Sequence, residues 1–115
     1  MHIDPARTIG PIDPNIYGHF IEHLGRCIYG GVFEPGSPLA DAHGFRTDVL
    51  DAVRAIKPPV LRWPGGNFAS GYHWQDGIGP PPGRPARRDT AWRKFEYNRF
   101  GTDEFIDYCR AAGTE

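Results

Sequence analysis

Apolar positions along this chain repeat with two different periods. In FRTDVLDAVRAIK, Phe45, Val49, Val53 and Ile56 fall at near-helical spacing with Leu50 alongside, and Pro58-Pro59 follows. The spacing predicts a helix over 45–57 that the prolines stop. A second stripe, Phe105, Ile106, Cys109 and Ala112, predicts another helix. Thr102 reads as its N-cap, Asp103 and Glu104 sit where the helix dipole favours anions, and Gly113 supplies the stop. IYGHFIEH (16–23) is short and β-prone. As a strand it places Ile16, Gly18, Phe20 and Glu22 on one face and Tyr17, His19, Ile21 and His23 on the other. PVLRW (59–63) reads as a second strand.

The remaining stretches are connections. Pro5, Pro11 and Pro14 make residues 1–15 an irregular or edge-strand lead-in. A long Gly-rich connection fills 24–44. An unusually long loop follows Asn67, roughly 68–100, and loops of that length in compact domains carry function or are disordered. The order strand, helix, strand, helix argues for parallel pairing through βαβ crossovers. Two such strands would leave both sheet edges bare, so the chain reads as a piece of a larger α/β protein.

Composition narrows the function classes. A length of 115 residues suits one domain, and 39% hydrophobic with 13% aromatic residues is too rich for a disordered tail. Gly 15 and Pro 12 imply much turn and loop. A formal charge of -1 predicts no strong field for nucleic acid or an anionic membrane. No apolar run approaches the roughly 20 residues needed to span a bilayer. MHIDPARTIG has neither a cationic nor an apolar leader region, so no secretory signal is expected. Cys27 and Cys109 read as reduced thiols, and the setting as intracellular and cytoplasmic.

In parallel α/β proteins ligands gather at the carboxyl ends of strands. Here those ends are Glu22-His23 and Arg62-Trp63-Pro64-Gly65-Gly66-Asn67. Glu22 offers two acceptor oxygens and Asn67 an acceptor with two donors, a set that suits sugar hydroxyls. Gly65 and Gly66 let the backbone pass close to a ligand. Trp63, Tyr72, Trp74 and Trp92 are candidates to stack on a sugar ring. Plainer readings stand beside these: Glu22 as a solvated group, and Asn67 as a turn residue with left-handed backbone. Arg62 within an apolar strand predicts a buried guanidinium braced by a carboxylate, as structural support or substrate contact.

Other motifs point away from known chemistries. His19 and His23 would lie roughly 13 Å apart along a strand, too far for one metal ion, and read as core or supporting residues. No dinucleotide or phosphate-loop pattern is present, and Ser37 and Ser70 lack a nucleophile context. Arg84, Arg87 and Arg88 read as a solvated loop cluster or subunit contact rather than a phosphate site.

The strings IYGHFIEHLGRCIYGGVFEPGSP, GFRTDVLDAVRAIKPPVLRWPGGNFASGYHWQDGIGP and RPARRDTAWRKFEYNRFGTDEFIDYCRAAG closely resemble the N-terminal part of the α-L-arabinofuranosidases of glycoside hydrolase family fifty-one. The resemblance runs from Ile16 to the last residue. It implies an α/β fold: the first two βα units of a (β/α)8 TIM barrel over 16–115, with 1–15 belonging to a β-sandwich domain. It implies a retaining enzyme, usually a homo-hexamer and often intracellular, that releases terminal α-L-arabinofuranosyl groups from arabinoxylan and arabinan oligosaccharides without cofactor or metal. By motif, Glu22 and Asn67 would bind the arabinose ring. Trp92 would shape the leaving-group side, and Arg62, Gly65 and Gly66 would support the site.

Retaining glycosidases need two carboxylates about 5–5.5 Å apart. The resemblance places the acid/base after barrel strand four and the nucleophile on strand seven, beyond the part matched here. No catalytic residue is therefore expected in this chain, and Glu22 is expected to bind rather than attack. RPARRDTAW departs locally from the family run, which bears on the placement of Trp92. Alternatives are a non-catalytic carbohydrate-binding module, which would be an antiparallel β-sandwich, and a sister glycosidase such as an endoglucanase or β-xylosidase on the same barrel.

Overall fold

A computed structural model describes residues 3–115; Met1 and His2 of the expected lead-in lie outside them. The regular elements are β1 (His19–Phe20), α1 (Thr47–Ile56), β2 (Leu61–Arg62), β3 (Arg87–Asp89), β4 (Lys94–Glu96) and α2 (Thr102–Ala112), with 3-10 turns between them. β1 and β2 pair in parallel, His19 opposite Leu61 and Phe20 opposite Arg62. Strand, helix and parallel strand thus follow one another as the apolar periods predict.

Both strands are shorter than expected. Residues Pro14–Tyr17 form a 3-10 turn, so Ile16 and Tyr17 precede the strand instead of belonging to it; Asp13 caps that turn by accepting the Asn15 N–H at 2.8 Å. Regular backbone bonding nevertheless runs past the formal strand ends. Ile21 N–H donates to Arg62 O at 2.9 Å and His23 N–H to Pro64 O at 3.1 Å. The outer edge of β2 is also used: Leu61 N–H donates to Glu115 O at 2.6 Å, and Glu115 N–H to Pro59 O at 3.3 Å.

α1 ends where predicted, with Lys57 in the left-handed region before Pro58-Pro59. Its buried residue is Leu50; Val49 and Val53 are half-buried and Ile56 is exposed. α2 packs on α1, and the Arg54 guanidinium donates to Ala111 O at 2.9 Å. The α2 cap differs from expectation: Gly101 is the N-cap and Thr102 the first helical residue. The Glu104 carboxylate reaches back to accept the Gly101 N–H at 2.7 Å, satisfying a donor that the helix itself leaves open. Ile106 of the predicted stripe is exposed, and Tyr108 is buried in its stead. Gly113 closes the helix at φ 75°.

The Gly-rich connection contributes more than a link. Its Ile28, Val32 and Phe33 join Phe45, Leu50, Leu61, Phe100 and Tyr108 in one core. The stretch 68–100 is likewise not one loop. It holds three 3-10 turns and an antiparallel hairpin, β3–β4, with Asp89 opposite Lys94 and Arg87 opposite Glu96. The carbohydrate-module alternative required an antiparallel sandwich, and two α-helices beside a parallel pair do not fit one.

Candidate functional site

Parallel pairing carries the carboxyl ends of β1 and β2 to the same side, and the two glycines decide how closely they approach. Gly65 has φ 140°, and a Cβ there would sit 2.1 Å from Glu22 Cγ. Only glycine allows both the backbone angle and the contact. Glu22 is 5% exposed, and its carboxylate accepts the Phe68 N–H at 3.0 Å. It is therefore not a solvated group but a buried acceptor that fixes the start of the turn Phe68–Gly71.

Asn67 precedes that turn. Its backbone is right-handed, φ -62° and ψ -35°, and its side chain caps nothing. Turn chemistry of the left-handed kind does not account for it, and its exposed amide remains available. Asn67, Tyr72, His73, Asp76, Arg87 and Glu96 are among the walls of a cavity of about 50 Å³. Glu22 is not one of those walls, although it binds the residue next to Asn67. Gly66 faces the carboxylate itself: a Cβ there would stand 3.9 Å from both Glu22 carboxylate oxygens.

Arg62 is exposed, contrary to the expected buried guanidinium. It lies over the Phe20 ring at 4.6 Å, and among the described residues no carboxylate pairs with it. Phe20 is exposed on its face of β1–β2, and the cation meets its aromatic ring instead of an anion. Trp63 is not a free stacking surface either. It packs against Phe105 at 5.3 Å with planes 21° apart, and edge-on to Tyr72. Trp74 is 59% exposed and Trp92 38%, the latter in the turn between β3 and β4. Asp89 holds that turn by accepting the N–H groups of Ala91 and Trp92 at 2.9 and 3.3 Å.

The basic cluster divides. Arg87 is exposed and makes a two-pronged pair with Asp76, at 2.9 and 3.1 Å. Hydrogen bonding to Arg87 holds the Asp76 carboxyl below its ordinary value. Arg84, expected in solvent, is buried: its guanidinium donates to Glu104, Gly79 O and Asn98 O. Those contacts pin the base of the hairpin to α2.

The residue missed by pattern reading is Glu96. It is 2% exposed on β4 and accepts the Tyr29 hydroxyl and, at 2.8 Å, the Asn98 N–H. His23 Nδ1 stands 3.1 Å from its other oxygen, at ion-pair distance but off the angle of a hydrogen bond. Burial works to raise the Glu96 carboxyl, yet the His23, Tyr29 and Asn98 contacts hold it below the ordinary value. Burial first, and then the Glu96 charge, push the Tyr72 hydroxyl up to about 12 and Tyr29 well above its normal range. The one legible signal was the alternation in KFEYN, which faces Glu96 and Asn98 inward and leaves Phe95 and Tyr97 exposed.

Comparison with known proteins follows the same lines. The sequence model of the family described as Alpha-L-arabinofuranosidase 1 domain matches residues 52–115. The chain is 58% identical over its whole length to alpha-L-arabinofuranosidase C of Emericella nidulans, spanning 23% of that protein. It is 53% identical over 98% of its length to an intracellular exo-alpha-(1->5)-L-arabinofuranosidase of Streptomyces lividans, spanning 17% of it. The crystal structure of the Thermotoga maritima α-L-arabinofuranosidase in its arabinose complex superposes with a TM-score of 0.91 at 65% identity, over 98% of this chain and 23% of that one. A thermostable family fifty-one enzyme of Thermotoga petrophila gives 0.90 at 65% identity, over 98% and 24%. The chain thus spans about a quarter or less of each of these relatives. Across that span, from the paired strand ends to α2, the chain belongs to the α-L-arabinofuranosidases of glycoside hydrolase family fifty-one.

Proposed function

We propose that this chain is the N-terminal part of a retaining α-L-arabinofuranosidase and forms one wall of its sugar site. The supporting observation is that, at the carboxyl ends of two parallel strands, Glu22 packs against Gly65-Gly66 and accepts the N–H of Phe68, the residue after Asn67. Residues 16–115 are the first two βα units of a (β/α)8 barrel, and the bonds from Glu115 to Pro59 and Leu61 fit the start of a third strand beside β2. Residues 1–15 belong to a sandwich domain. In the whole enzyme Glu22 and Asn67 hold the arabinosyl ring, Arg62 supports the site from the barrel interior, and Trp92 borders the leaving group.

Substrates are arabinoxylan and arabinan oligosaccharides with terminal arabinofuranosyl groups. The acid/base and nucleophile carboxylates come from later strands, so this chain alone turns nothing over. The whole protein assembles as a homo-hexamer. A cytoplasmic setting is supported by the intracellular Streptomyces lividans relative and by two free thiols; among the described residues no helix is long and apolar enough to cross a membrane.

The test compares 4-nitrophenyl α-L-arabinofuranoside hydrolysis by the 115-residue chain and by the longer gene product that carries it. The expected result is turnover by the longer protein only. Asn67→Ala in that protein should weaken arabinose binding about tenfold, the value of one good hydrogen bond, while leaving its unfolding unchanged. Turnover by the short chain, or none by the long one, refutes the reading.

A further inference from the structure

The sugar-wall reading leaves one buried constellation without a role. His23 has no exposed side-chain surface. The rings of Tyr29, Trp63, Phe68 and Phe100 enclose it at centroid distances of 5.6, 5.6, 4.6 and 6.3 Å. Its polar neighbour is Glu96, itself bonded to Tyr29 and Asn98. A buried ionisable pair seldom adds more stability than apolar residues of similar volume would. Fixing a geometry is the better account of it.

The geometry in question joins two parts of the site. His23 follows Glu22, and its ring lies on Phe68, whose N–H Glu22 accepts. Glu96 lies on β4, and the register of β4 with β3 places the turn in which Asp89 holds Trp92. Among the described residues, Glu96 is the sole hairpin side chain hydrogen-bonded or ion-paired to the segment 19–29.

We infer that Glu96, acting through His23, is a positioning residue that sets the Trp92 hairpin at a fixed distance from Glu22 and so shapes the gap entered by the leaving group. The inference rests on the sugar-site reading above. Neither residue of the pair reaches the reacting atoms in this role; they hold the groups that do.

A double-mutant cycle in the longer gene product tests it. Glu96→Gln keeps the side-chain shape and an oxygen for Tyr29 and Asn98 but removes the charge facing His23. On an arabino-oligosaccharide, Glu96→Gln and Trp92→Ala should each lower kcat/KM on the order of 10- to 100-fold, chiefly through KM, as a misplaced binding group does. The double variant should then fall within about threefold of the weaker single variant, because both changes act on one element. Losses that multiply, or a Glu96→Gln enzyme with unchanged kcat/KM, overturn the inference. If Glu96→Gln does not fold, Tyr29→Phe loosens the same carboxylate and must show the same coupling; multiplied losses there overturn it equally. An inactive unmutated protein instead sinks the hydrolase reading itself.

Discussion

Gly65 lies against Glu22 so closely that a methyl group at position 65 would meet the Glu22 side chain at 2.1 Å. The strand end and the buried carboxylate are therefore one packed unit, and the carboxylate in turn holds the Phe68 N–H. Gly65→Ala must force both a left-handed angle on alanine and a displacement of Glu22. It should destabilise the chain by about 1–3 kcal/mol or more. Urea unfolding reads this directly, and an unchanged midpoint would contradict the packing described.

Glu96 should make stability depend on acid. Its folded value lies below the ordinary 4.5, so the unfolded chain takes up the proton first as pH falls. The contribution is complete well above pH 4.5 and disappears as pH drops through the lower folded value. Glu96→Gln should flatten that part of the stability curve. Denaturation measured across pH 3 to 7, taken as roughly the carboxylate window, checks it. Parallel curves for the two proteins would contradict the assignment.

The tyrosines separate by partner. The Tyr29 hydroxyl donates to Glu96 and accepts the Phe100 N–H at 3.2 Å. The hydroxyls of Tyr72 and Tyr108 are buried without a hydrogen-bond partner among the described residues. Tyr29→Phe should thus cost about 1–3 kcal/mol, since it strands the Phe100 N–H and leaves the Glu96 oxygen with the Asn98 N–H alone, whereas Tyr72→Phe and Tyr108→Phe should be near neutral. Three unfolding curves decide it, and an equal loss in all three would refute the distinction.

Arg84→Ala should be the most damaging change among the basic residues. It strands Glu104 and two backbone carbonyls beneath the hairpin, a loss of about 3–5 kcal/mol for a buried pair. Arg87→Ala removes an exposed pair with Asp76 and should cost at most about 1 kcal/mol. Thermal melts of the two variants give the comparison, and the reverse order would show the hairpin base to be held otherwise.

What could be read from residues in order was local. The α1 stripe with its proline stop, Gly113 after α2, and the parallel order of short strands all follow from spacing within one turn or one strand. The strand-end candidates Glu22 and Asn67 came from the same reasoning, and the structure sets them beside Gly65-Gly66. Where the reading failed, the deciding partner was distant. Arg84 is buried because Glu104, 20 residues on, waits for it. Arg62 is exposed because Phe20, the ring it lies over, is itself 44% exposed among the described residues.

The amino-acid order by itself therefore settled helices, stops and strand direction, since periodicity and backbone restriction act between near neighbours. Tertiary structure alone decided that 68–100 folds into a hairpin and that Glu96 goes inside. The alternation in KFEYN marks two faces, but hydropathy alone would turn Phe95 and Tyr97 inward, the reverse of what the structure shows. The fate of Glu96 was fixed by Tyr29, 67 residues away, and by a histidine whose aromatic surroundings exist only once the chain has closed around it.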